Sequence, residues 1–305
     1  MTLDRILENS LAIKRKDKVL IITDKKKEKI AKKIYKACKK LSNKVDIIYK
    51  PIGKYDGEEP PTKIAKQMLK YNVILAPTEH SISHTKSRKN ASKKGIRIAT
   101  MPGITEKMLT TSLLAVPKEL DRLGNKLMKV LKNGSFVFIT TPSGTSIGFS
   151  IKGRVVENNN AVIRKRGAFS NLPDGEVSLS PEEGTANGII AIDSAGEYAK
   201  PRTKVLVMNG LAIDITNKNC KLSEIFDKVK NSRNIAELGI GTNKKAKFMR
   251  SILNDEKIFG TAHIAFGSNI SYNGKIYSSV HIDVIQFKPT IWVDNKLIMR
   301  NGKLI

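Results

Sequence analysis

The stretch "KVLIITDKKKEKIAKKIYKACKKL" (residues 18–41) changes character in the middle. Residues 18–24 are a short apolar run rich in β-branched residues, the length and composition of a buried strand. The lysine-studded remainder, to about Leu41, reads as a helix. Three further runs repeat the strand signal: "VDIIYK" (45–50), "NVILAPT" (72–78) and "IRIATMP" (96–102), each separated by helical sequence. Strands alternating with helices imply a parallel sheet covered on both faces. "PKELDRLGNKLMKVLKNG" (117–134) reads as a closing helix, with Pro117 at its start and Gly134 past its end.

The expectation is an N-terminal Rossmann-like α/β domain with a parallel sheet over residues 1–132. No GxGxxG or Walker pattern occurs, and "ITDKKKEK" after the first strand carries no glycine-rich loop. A dinucleotide or ATP site is therefore disfavoured. Residues 133–305 are expected to form a metal-binding α+β domain rich in antiparallel strands. Short β runs dominate there, among them "SFVFITT", "KVLVMNGLAIDI", "TAHIAFG" and "VHIDVI". Asn-Gly pairs at 209–210, 273–274 and 301–302 signal hairpins. One helix is expected over "KKAKFMRSILND" (244–255), capped by Thr242 or Asn243.

Lys and Arg number 55 against 28 acids, a formal charge of +27. Such an excess attracts nucleic acid. The lysines, however, are spread along solvated helix faces, aromatics are only 6%, and no stacking platform is present. A nucleic-acid partner is thus not expected. The two cysteines have no partner spacing, which fits a reduced, cytoplasmic setting. No apolar run is long enough to span a membrane.

The C-terminal half holds two histidines, His263 and His281, both inside strand-like runs. In "HID", His281 and Asp283 share one strand face, with Ile282 on the other. If the strands pair as a hairpin around Asn273-Gly274, His263 falls nearly opposite both. Two imidazoles and a carboxylate converging this way form a divalent metal site. Two glutamates sit in unusual contexts: Glu176 follows a Pro-Asp-Gly turn, and Glu237 lies between Ile235-Ala236 and Leu238-Gly239-Ile240. An unpaired buried carboxylate is expensive, so Glu237 requires a cation, either a metal or a lysine.

"NLPDGEV", "ELGIGTN", "FGTAHIAFG" and "HID", in that order, resemble the aminopeptidase T family of metallopeptidases, and the likeness extends over nearly the whole chain. The resemblance implies two domains, a homodimer, and one or two zinc or cobalt ions in the C-terminal domain. Its ligands would be Glu176, Glu237, His263, His281 and Asp283. The implied activity is metal-dependent hydrolysis of N-terminal residues from peptides, with Glu176 or Glu237 as general base. One departure matters. The family's catalytic tyrosine, seven residues after the first histidine, is replaced here by Ile270, and Tyr272 is the nearest substitute. That loss favours an alternative, because the same superfamily includes a ring-cleaving dihydroxypyridine dioxygenase with mononuclear iron. His263, His281 and Asp283 would supply the two histidines and one carboxylate of such a centre, and a small molecule rather than a peptide would be the substrate.

Overall fold

The computed structural model describes residues 2–305. The chain forms two compact units, Met1–Lys118 with Asn160–Asp174 and Glu119–Asn159 with Gly175–Ile305. It therefore passes between them at 118/119, 159/160 and 174/175, where the sequence reading places a single division at 132/133.

In the first unit, Lys18–Thr23 pairs in parallel with Lys44–Tyr49 on one side and Val73–Ala76 on the other. Arg97–Thr100 and Phe169–Asn171 extend the sheet, also in parallel. The order is that of a doubly wound sheet with strands 2-1-3-4-5. Val19 to Ile22 are fully buried, which is why this strand reads as a continuous apolar run. The helix Glu28–Leu41 buries Ile30, Ala31, Ile34, Ala37 and Cys38 and exposes most of its lysines. Between strand and helix, the buried Asp24 carboxylate takes the place a phosphate would need. Its Oδ1 accepts from the backbone N–H of Lys26 and Lys27 at 3.1 and 3.2 Å, and its Oδ2 from that of Glu79 at 2.6 Å. The anion that meets these N–H groups is thus built into the chain.

The second unit contains two antiparallel sheets. One has eight strands, running from Leu211–Ile215 at one edge to Lys303–Leu304 at the other. The other has five, in the order His281–Phe287, Thr261–Gly267, Ile235–Gly241, Glu176–Leu179 and Glu157–Asn159. Val137, Ile139, Ile147 and Phe149 of the first sheet share one core with Val177, Leu238, Ile264 and Val284 of the second. The fold is therefore a parallel α/β unit and an antiparallel-rich unit, as the sequence pattern indicates. No helix among the described residues is long and apolar enough to cross a membrane.

Asn209-Gly210 and Asn301-Gly302 turn tight hairpins with positive φ at both residues. Asp294-Asn295 does the same (φ 46° and 64°) without carrying the Asn-Gly signature. Asn273-Gly274 does not close a tight hairpin. Asn273 instead ends a 3-10 turn, Ile270–Tyr272, within a longer excursion between the two histidine strands.

The helix expected over 244–255 shrinks to Ile252–Asp255. Side chains take the backbone groups a helix would have used. Asn243 Oδ1 accepts from Lys245 and Ala246, Asp255 from Met249 and Ser251, and Asn254 Nδ2 donates to the Lys247 carbonyl. Such local bonds compete with the helical ladder.

Asp24→Ala strips three backbone N–H groups of their acceptor. Urea denaturation is expected to show a stability loss of about 2 kcal/mol; an unchanged midpoint would show that the carboxylate is dispensable.

Candidate metal centre

Register builds the site. Across the five-stranded sheet, Glu157 lies opposite Ser178, and Asn159 opposite Glu176. Glu176 lies opposite Gly241, and Ser178 opposite Gly239. Gly239 faces His263, and Glu237 faces Ala265. Ala265 faces Asp283, and Gly267 faces His281. Because alternate residues of a strand share a face, Glu157, Glu176, Glu237, His263, His281 and Asp283 all stand on one face. The opposite face carries Val177, Leu179, Leu238, Ile240, Ile264, Phe266, Ile282 and Val284, and it belongs to the core. The histidines are not directly opposite each other: His281 pairs four residues along from His263. They meet through the diagonal of the sheet.

Small residues make the room. A Cβ added to Gly239 would lie 2.0 Å from His263 Cε1 and 2.1 Å from its Nε2. The imidazole therefore lies against bare backbone, a position that only glycine permits.

Ligand atoms of Glu237, His263 and Asp283 lie within 4.8 Å of one another. His281 Nε2 adjoins them, 2.9 Å from Glu237 Oε2 and 3.5 Å from Asp283 Oδ1. The other ring nitrogen, Nδ1, sits 2.8 Å from the Ser268 carbonyl. Tyr272 stacks on the His281 ring, centroids 5.3 Å apart, while Ile270, on the same 3-10 turn, is exposed. Glu176 reaches both the cluster, with Oε2 3.6 Å from His263 Nε2, and a lysine. Its Oε2 is 2.7 Å from Lys257 Nζ, and its Oε1 accepts from Asn159 Nδ2 at 3.1 Å. Lys257 Nζ is also 2.7 Å from Glu256 Oε1.

The structure thus gathers all five ligand candidates and Tyr272 on one face, but only Glu237, His263 and Asp283 form the tight cluster. Sequence reasoning missed Glu157, Gly239, Glu256 and Lys257. The glycine in "ELGIG" is a legible sign of close backbone approach. Lys257 has no such sign, being one of 55 basic residues in a stretch adjoining an expected helix.

The electrostatics call for a cation. Burial opposes charge on His263, but its interaction with Glu237 and the charges of Glu176, Glu237 and Asp283 prevail, pushing it up to about 9. Burial likewise opposes charge on His281, and the carboxylates of Asp283 and Glu237 raise it well above the usual range. Burial, then the charges of Asp283 and Glu176, push Glu256 up to about 8 against the pull of Lys257. Glu237 Oε1, Asp283 Oδ1 and His263 Nδ1 are buried without a hydrogen bond among the described residues. Buried polar atoms are rarely left so. Imidazole and carboxylate together suit a divalent first-row metal, and such an ion fits here.

The sequence model of the family described as NicX: 2,5-dihydroxypyridine 5,6-dioxygenase matches residues 4–305. The chain belongs to that family, and hence to a family of enzymes. Among solved structures, the 2,5-dihydroxypyridine dioxygenase of Pseudomonas putida KT2440 superimposes with a TM-score of 0.82 at 15% identity, over 99% of this chain and 95% of that one. Wild-type AmpT from Thermus thermophilus gives 0.74 at 14% identity, over 99% and 98%. Both establish a shared fold. No curated protein matches the chain. The family match overturns the aminopeptidase reading, and with it the hydrolase and metalloprotease assignments; the likeness to aminopeptidase T is one of fold.

Two outcomes follow for the metal-free and metal-loaded protein. Protonated His263 stabilises the metal-free fold fully below its unfolded value of 6.5, and that contribution is lost as pH rises toward about 9. A metal replaces the proton, so its stabilisation grows over the same window. Thermal unfolding in chelator is expected to weaken from pH 6.5 to 9, while the increment on adding zinc increases; a pH-independent increment would contradict this site. Gly239→Ala is expected to abolish metal uptake, read by elemental analysis, in a protein whose circular dichroism is unchanged.

Proposed function

We propose that this member of the 2,5-dihydroxypyridine 5,6-dioxygenase family is a mononuclear iron enzyme that opens the ring of a dihydroxylated pyridine, adding both atoms of dioxygen across a ring bond. The observation that carries the reading is the convergence of His263, His281 and Asp283 on one sheet face beside Glu237, in a chain the family model matches almost end to end. These three would hold the metal. Two histidines and one carboxylate are the ligand set of non-haem Fe(II) oxygenases, in which the iron supplies the redox chemistry that joins dioxygen to an aromatic ring. Zinc, which has no redox chemistry, does not serve this reaction.

The chain's own groups do the rest. The Ser268 carbonyl accepts the Nδ1–H of His281 and so directs Nε2 into the site. Glu237, whose Oε2 lies 2.9 Å from His281 Nε2, is placed to take a hydroxyl proton from the substrate as general base. Tyr272 covers one face of His281. Burial, then the charges of Glu237, Glu176 and Asp283, raise its phenol well above 10, so it remains a hydrogen-bond donor toward Glu237 and the substrate. A cytoplasmic setting would suit ferrous iron, and both cysteines are unpaired.

Protein loaded anaerobically with Fe(II) is expected to consume one dioxygen per 2,5-dihydroxypyridine in an oxygen electrode, and zinc-loaded protein none. His263→Ala, His281→Ala and Asp283→Ala should fall to background. Glu237→Gln should keep its iron and lose about 10²–10⁴-fold in rate. Release of amino acids from peptides by the zinc or cobalt form, with no oxygen uptake by the iron form, would overturn the proposal.

A further inference from the structure

Five carboxylates, Glu157, Glu176, Glu237, Glu256 and Asp283, converge with two histidines on the site. That donor set is rich enough for two metal ions, and two-metal centres place their ions about 3.5–4 Å apart with carboxylates between them. One feature of the chain stands in the way. Lys257 is 2% exposed, and its ammonium lies 2.7 Å from Glu176 Oε2 and 2.7 Å from Glu256 Oε1. The same Glu176 oxygen is 3.6 Å from His263 Nε2. The ammonium therefore sits one carboxylate away from the tight cluster of Glu237, His263 and Asp283, where a second cation would share Glu176. With Oε1 bonded to Asn159 Nδ2, Oε2 alone links the ammonium to the cluster.

The lysine is also fixed in place. Its backbone carbonyl accepts from Asn243 N–H at 2.8 Å, and its N–H donates to the Asn254 carbonyl at 3.2 Å. The largely irregular 243–260 segment, folded by Asn243, Asn254 and Asp255 around the short Ile252–Asp255 helix, is what delivers the side chain to Glu176.

We propose that Lys257 is a tethered cation that occupies the position of a second metal ion and keeps the centre mononuclear. This rests on the iron reading above and deepens it. One ion leaves the chemistry to a single redox metal, whereas a bridged pair favours polarised-water hydrolysis.

The test counts metals in the full chain. Chelator-stripped protein is dialysed against excess Mn(II), assayed by elemental analysis, and examined by electron paramagnetic resonance, which separates an isolated ion from a spin-coupled pair. Wild type and Lys257→Arg are expected to hold one equivalent with an isolated-ion signal. Lys257→Met is expected to hold two equivalents with a coupled signal, whether it folds alone or only once metal is added. Should it fold under neither condition, the double variant Lys257→Gln/Glu256→Gln, which leaves the net charge unchanged, is judged by the same count. Two equivalents in wild type, or one in the folded lysine-less variant, would overturn the inference and leave the iron reading standing. No metal in wild type would remove the iron reading, and the inference would fall with it.

Discussion

Carboxylates taken out of water need cations, and that requirement organises the second unit. Glu176, Glu237 and Glu256 are each nearly inaccessible, and an isolated buried carboxylate is among the most expensive groups a fold can carry. Each has an answer within reach. Glu176 and Glu256 share the ammonium of Lys257, and Glu237 faces His263 and His281. What stays unanswered are Glu237 Oε1, Asp283 Oδ1 and His263 Nδ1, buried without hydrogen bonds among the described residues. An acidic enclave inside a chain of charge +27 is difficult to understand as a structural device and easy to understand as a cation site.

The sheet makes the enclave affordable. One face of the five strands is mainly apolar and closes onto the core shared with the eight-stranded sheet, with Gln286 and Asn158 as its polar exceptions; the other collects the carboxylates and histidines. Register does the sorting, since a slip of one residue would drive every carboxylate into the core. Gly239 on the polar face keeps it open where the His263 ring lies.

Much of this was legible in the residues. Val19 to Ile22, an unbroken apolar run, announces a strand covered on both sides, and the Asn-Gly pairs at 209 and 301 announce tight hairpins. Alternation in "HID" placed His281 and Asp283 on one face. Glu237, embedded between apolar residues, announced a buried charge. The remainder depended on distance in the chain. The Asp294-Asn295 turn carries no glycine, and the 244–255 helix fails because Asn254 and Asp255 capture the backbone from the side. Lys257 acquires meaning only when Glu176, 81 positions earlier, is brought beside it. The activity class was not legible from ligands alone, because one fold carries both a peptidase and a dioxygenase; the replacement of the family tyrosine by Ile270 was the one residue that pointed away from peptide hydrolysis.

The most direct measurement is anomalous diffraction at the iron edge from crystals grown anaerobically with excess Fe(II). The account predicts one peak, within bonding distance of His263, His281 and Asp283, with Lys257 still paired to Glu176. Two peaks bridged by Glu176, or none on this face, would contradict it.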